Sequence, residues 1–292
     1  MRIYSHPSLA ELSTLRLGGR ARVLYCAEDV AELEEAVGME GGIQERIMFI
    51  GAGSNILFSS GEHDLALVKW SGSEEIAATG SGQKVLVDVD GGIRLPRLLG
   101  WCAGKGLSGL EPLAGIPGSV GGAVAMNAGS HGREIGDLLE SVRIWTPEGG
   151  EQHITAAKIR PGYREMGFPG FTNPLVTGIR LILRESTPKK VRSETKKWFA
   201  RKKSVQPVLK RTAGCVFKNV GGQSTGRILD DLGFRGKCRG GVCFSGLHAN
   251  FLVHEKNGTA DEALELIHSA RQTAREKKNI NLETEIRIVP CL

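Results

Sequence analysis

The chain has 292 residues, enough for about two domains and a sizeable buried core. Its 40 glycines follow no three-residue period, which excludes a collagen-like or low-complexity chain. A net charge of +6 suits an anionic partner, whereas no run is apolar and long enough to span a bilayer and residues 1–19 hold no apolar leader, so a soluble cytoplasmic protein without membrane association is expected.

Residues 29–37 read as a helix, with Val30, Leu33 and Val37 on one stripe and Gly38 as its stop. The apolar run Ile47-Met48-Phe49-Ile50 reads as a buried strand leading into Gly51-Ala52-Gly53-Ser54-Asn55. Residues 65–68 and 85–89 read as strands. Residues 95–103 read as a helix, with Pro96 in the first turn and Gly104 or Gly106 at the end. A second glycine stretch follows, Gly115-Ile116-Pro117-Gly118-Ser119-Val120-Gly121-Gly122. Residues 142–145 form a strand that enters a turn at 147–150, and 176–183 alternates as another strand. The lysine- and arginine-rich segment 189–203 has helical character and stops before Pro207. A domain boundary placed near it gives domains 1–185 and 186–292. Thr259 and Glu262 make a capping box for a helix whose apolar stripe is Ala263, Leu266, Ile267, Ala270 and Ala274. Residues 280–289 alternate as a final strand, with Glu283 and Glu285 opposite the apolar face.

Glycines just past a strand let the backbone approach a ligand and offer N–H groups to phosphate oxygens. The two glycine stretches therefore look like a cradle for a pyrophosphate, with two tight turns in a sheet protein as the alternative. Neither is a P-loop, since no Gly-Lys-Ser/Thr follows, and Ile56 stands where a Rossmann fingerprint needs its third glycine. The six scattered cysteines fit reduced thiols better than a disulfide framework. Cys238, Cys243, His248 and His254 have tolerable zinc spacing, but no metal is expected. The basic segment reads as a solvated helix face; nucleic acid is not expected, because only Trp198 and Phe199 interleave it with aromatics and no motif accompanies it.

Five further stretches occur in order: Thr14-Leu15-Arg16-Leu17-Gly18-Gly19; Leu107-Ser108-Gly109-Leu110-Glu111-Pro112-Leu113-Ala114 running into the second glycine stretch; Tyr163-Arg164; Ala213-Gly214-Cys215-Val216-Phe217-Lys218-Asn219; and Leu282-Glu283-Thr284-Glu285-Ile286-Arg287. With His248-Ala249-Asn250-Phe251 they resemble the UDP-N-acetylenolpyruvoylglucosamine reductase family over about residues 14–289. The resemblance implies an α+β fold of the vanillyl-alcohol-oxidase type: two lobes that bind FAD non-covalently and a C-terminal domain for a UDP-sugar. It implies NADPH as reductant, hydride transfer through the flavin to an enolpyruvyl methylene carbon, and a protein acid that protonates the adjacent carbon. A monomer is expected.

Carried onto this sequence, the family pattern makes Arg164 the clamp on the substrate carboxylate, Glu285 its companion at the enolate-like intermediate and Cys215 the proton donor. FAD contacts are expected from Gly51, Gly53, Ser54, Asn55, Ile56, Gly115, Ile116, Pro117, Gly118, Ser119, Gly121 and Gly122. Tyr163, Lys218 and Asn219 are expected at the substrate, and Lys203 at its pyrophosphate. The family's donor is usually serine; a thiol is a stronger acid than an alcohol, and donation from Cys215 remains chemically sound. Val220 replaces a usual proline, and Met166 stands where a serine is common. The short span between Arg164 and Val176 lacks a tyrosine-bearing insert, as in the family's shorter subgroup. An alcohol or hydroxy-acid oxidase on the same flavin fold would explain the glycine stretches but not the residues around Cys215 and Glu285.

Overall fold

The computed structural model describes residues 1–41 and 46–290; Cys291 lies outside the described residues. The chain divides into two compact units, each discontinuous in sequence. One comprises Met1–Tyr4, Leu24–Ala52 and Ala66–Lys202, and the other Ser5–Val23, Gly53–Leu65 and Lys203–Leu292. Among the described residues, no helix is long and apolar enough to cross a membrane.

In the first unit, helix α1 (Val30–Met39) starts where the Asp29 carboxylate accepts the Glu32 amide. The expected strand at 47–50 forms as Ile47–Phe49, parallel to Ala66–Val68 within the strand Glu62–Trp70. An antiparallel sheet orders the strands Gly150–Thr155, Leu139–Thr146, Leu175–Glu185, Lys84–Asp90 and Ile76–Ser81. Val85, Val87 and Val89 alternate inward from one strand. They share a core with Leu95, Leu98 and Leu99 of helix α2 (Leu95–Lys105) and with Val120 and Val124 of helix α3 (Val120–Ala125). Helix α2 has Pro96 in its first turn and ends at Gly106, whose left-handed φ of 72° suits glycine. Asp88 and Arg180, opposite each other in register, form a two-point ion pair at 2.8 and 3.1 Å. The basic segment begins helix α4 (Pro188–Val205).

The second unit holds helices α5 (Thr225–Asp231) and α6 (Ala260–Lys278) and a small antiparallel sheet of Cys238–Arg239, Val242–Phe244 and Leu252–His254. The capping box at α6 is present, with both Thr259 and Glu262 bonding back to backbone amides. The expected stripe of Ala263, Leu266, Ile267, Ala270 and Ala274 is buried against Leu15, Leu17, Leu57 and Phe217 among others.

Two expectations change. The final strand covers only Arg287–Val289, parallel to Ile56–Phe58, rather than all of 280–289. The segment changes partners along its length: Thr284 bridges Phe217, and the Arg287 amide then bonds Asn55 O at 2.9 Å, so no single ladder forms. The cysteines are not all reduced thiols, because Cys238 and Cys243 are joined as a disulfide. They face each other across a hairpin whose turn carries Gly240 at φ 50°, with Cα atoms 4.0 Å apart. This pairing takes up both sulfurs of the zinc spacing.

Candidate active site

Within the first unit, Gly51 of the first glycine stretch lies against the second stretch. A Cβ on Gly51 would lie 2.5 Å from Ser119 Oγ, so a side chain there would displace the Ser119 hydroxyl. Ser119 caps α3 by accepting the Gly122 amide at 3.2 Å. Gly115 and Gly118 hold positive φ values of 82° and 129° in the turn that includes Ile116 and Pro117. Gly121 serves packing instead: a Cβ there would meet Val176 O at 2.6 Å.

The first glycine stretch has the donors that a pyrophosphate needs. Among the described residues, the amides of Gly51, Ala52, Gly53 and Ser54 donate to no protein acceptor, although Gly53 is buried. Four successive backbone donors left over after a strand fit the anionic part of FAD. Gly53, at φ 62°, is pressed so close to Leu12 that an added Cβ would lie 2.0 Å from its carbonyl oxygen. Asn55 Nδ2 donates to Glu285 O at 3.0 Å, and Ile56 opens the strand beside Arg287.

Arg164 and Tyr163 are the two turn residues of a hairpin, Arg160–Gly162 with Glu165–Gly167, in which Gly162 pairs with Glu165. Arg164 holds a left-handed φ of 60°, uncommon for a side-chain-bearing residue. Its guanidinium lies 5.2 Å from the centre of the half-exposed Tyr163 ring, and Nη1 donates to Gly129 O at 3.5 Å. A further cation, Lys202, not singled out in the sequence, acts electrostatically with Arg164. Lys202 is 4% exposed, its stem faces Gly115, and among the described residues it makes no hydrogen bond or ion pair. Burial, reinforced by the charge of Arg164, pulls its ammonium down to about 8. Lys203, the residue expected at a pyrophosphate, is exposed and belongs to the second unit.

In the second unit the structure brings Cys215 and Glu285 together through the backbone. The Glu285 amide donates to Val216 O at 2.8 Å, and the Lys218 amide donates to Glu283 O at 2.9 Å. On the other side, Cys215 bridges Phe251 and the Val216 amide donates to Asn250 O at 2.7 Å. Asn250 grips Phe217 twice: its Oδ1 accepts the Phe217 amide at 3.0 Å, and its Nδ2 donates to Phe217 O at 2.8 Å. The stretch that bears the thiol is thus held between two segments by main-chain bonds. Cys215 and Glu285 are both half-buried. Lys218 is ion-paired with Glu283, and Asn219 accepts the Thr225 amide at 3.1 Å. His248 packs over Gly226 and edge-on to Phe251, and burial lowers its pKa.

Sequence reading missed Lys202 and Asn127 and quoted Asn250 only as part of a motif. Asn127, five residues past the second glycine stretch, holds a left-handed φ of 40°, which suits Asn or Gly.

A family model for the FAD binding domain matches residues 21–155, and one for the C-terminal domain of UDP-N-acetylenolpyruvoylglucosamine reductase matches 206–289. The UDP-N-acetylenolpyruvoylglucosamine reductase of Nitratidesulfovibrio vulgaris is 41% identical, over 100% of both chains. That of Oleidesulfovibrio alaskensis is 42% identical over 99% of this chain and 98% of its own. The crystal structure of the Thermus caldophilus reductase matches with a TM-score of 0.83 at 32% identity, covering 99% of this chain and 100% of that one. The chain therefore belongs to the UDP-N-acetylenolpyruvoylglucosamine reductase family.

Proposed function

We propose that this protein is an NADPH-dependent flavoenzyme that reduces UDP-N-acetyl-3-O-(1-carboxyvinyl)glucosamine to UDP-N-acetylmuramate, a precursor of peptidoglycan. It acts in the cytoplasm as a monomer, with residues 1–185 serving FAD and 186–292 serving the UDP-sugar. When bound, FAD would supply the redox chemistry, carrying hydride from NADPH to the enolpyruvyl methylene carbon. The residues that would hold FAD are Gly51, Gly53, Ser54, Asn55 and Ile56 of the first glycine stretch, with Gly115 to Ser119 and Gly122 of the second.

The protein's own chemistry begins at the substrate carboxylate. Arg164 offers a planar, two-pronged cation there, and its attraction strengthens as negative charge spreads from the adjacent carbon onto the carboxylate oxygens. Cys215 then passes its Sγ proton to that carbon, and Glu285 orients the acid and the developing charge. Tyr163, Lys218 and Asn219 line the sugar, and Lys203 meets the pyrophosphate. The observation that carries this reading is the main-chain pairing of Val216 with Glu285, which puts a thiol and a carboxylate on neighbouring segments.

The test is an absorbance scan of the purified protein, first with NADPH and then with the enolpyruvyl substrate added anaerobically. Bleaching followed by recolouring is the expected result. Flavin that recolours only with oxygen would replace the reductase by an oxidase.

A further inference from the structure

We propose that Asn127 is a positioning residue for Arg164. Its side chain is fully buried, and each of its polar atoms is committed. Nδ2 donates to Glu134 Oε2 at 2.6 Å and to Gly162 O at 3.0 Å, while Oδ1 accepts the Gly136 amide at 3.2 Å. Gly162 is the base of the two-residue turn that presents Arg164, and Gly129, whose carbonyl accepts from Arg164 Nη1, is the strand partner of Glu134. The contacts close a ring, from Asn127 to Gly162, across the turn to Arg164, to Gly129, to Glu134 and back to Asn127.

Each link of this ring limits one freedom. The left-handed backbone of Arg164 is disfavoured for a residue with a side chain, so something must hold the turn in that form. The bond to Gly162 O fixes the base of the hairpin. The bond to Glu134 fixes the strand whose partner receives the guanidinium. A buried amide serves both because it donates two hydrogens and accepts at one oxygen. Aspartate has nearly the same shape but lacks both donors, and it would set a second carboxylate against Glu134.

The inference rests on the clamp role of Arg164, and the experiment separates the two. Asn127→Asp and Asn127→Gly are made in the flavin-loaded protein; glycine keeps the left-handed backbone while deleting the side chain, so it covers the case in which the aspartate does not fold. Both half-reactions are followed by stopped-flow absorbance, alone and combined with Arg164→Ala, and the Arg164 Nε–H resonance is followed by NMR. The Nε–H resonance is expected to shift or broaden in both Asn127 variants. Flavin reduction by NADPH stays within about twofold, while reoxidation by the enolpyruvyl substrate slows on the order of 10²-fold, as an ångström-scale misplacement does. Adding either change to Arg164→Ala costs no more than about twofold further, because coupled residues are not additive. An unmoved resonance, or an equal slowing with and without Arg164, overturns the proposal. Normal reoxidation in Arg164→Ala alone removes the clamp role, while the resonance still decides the positioning.

Discussion

Arg164 and Cys215 are set in place by opposite means. The Arg164 turn depends on side chains: a buried amide, a carboxylate and a strained left-handed residue hold it. The Cys215 stretch depends on its own backbone, with main-chain bonds to Asn250 on one side and to Glu283 and Glu285 on the other, and with the Asn250 amide clasping the main chain of Phe217. Backbone pairing does not depend on the identity of the side chain it presents. A position held in this way accepts cysteine for serine without moving the acid. A position held by side chains has no such freedom, and substitutions there act on geometry first.

The contrast makes its largest claim at Cys215. Replacing it with alanine deletes the proton donor and leaves the main-chain bonds, so reoxidation of reduced flavin by substrate should fall roughly 10²–10⁴-fold, the range for a general acid. Cys215→Ser should keep much of the activity, because the same backbone presents the new donor in the same place. Rapid-mixing measurements on both variants check this. Wild-type turnover in the alanine variant would sink the donor role, and a dead, correctly folded serine variant would sink the claim that the hold on this stretch's main chain sets the geometry.

Arg164→Lys comes next. Lysine keeps the charge but replaces a planar fork with a point, and the Nη1 contact to Gly129 has no equivalent. The oxidative half-reaction should slow roughly 10²-fold, with flavin content and NADPH bleaching unchanged. Equal activity of the two cations would mean that charge, and not the fork held by the turn, is what matters.

The same division decided what could be read from the sequence. Local signals were legible: the Thr259–Glu262 box, the glycine end of α2 and the strand at 85–89 all appear in the structure. Each is specified by residues within a turn or two of one another. The ordered motifs marked the family and the stretches that bear Arg164, Cys215 and Glu285. What escaped was non-local. Ile56–Phe58 pairs with Arg287–Val289 some 230 positions away, and no periodicity announces such a partner. The 280–289 segment has clean alternation yet forms a strand only at its end, because alternation reports a buried face and not a continuous ladder. Asn127 reads as an ordinary polar residue, since its meaning lies in contacts 7 and 35 positions along the chain.

Lys202 gives the smallest and most diagnostic test of the side-chain-built region, with its neighbour Lys203 as control. Lys202 is buried and its pKa falls to about 8; Lys203 is exposed. Below pH 8 the folded chain carries a charged ammonium in a poor environment, which disfavours folding. As pH rises from about 8 into the ordinary lysine range, the folded state loses this proton while the unfolded state keeps it, so stability rises with pH across that window. Lys202→Met removes the cost. The nucleotide-free variant should be more stable than the parent at pH 7 by about 2 kcal/mol, at roughly 1.4 kcal/mol per unit of pKa shift with an allowance for partial solvation. That advantage should shrink between pH 8 and 10, whereas Lys203→Met should change little at any pH. Urea unfolding at several pH values measures all three proteins. A Lys202→Met difference that stays constant with pH would show that the ammonium is solvated and that the region around Gly115 holds no buried charge.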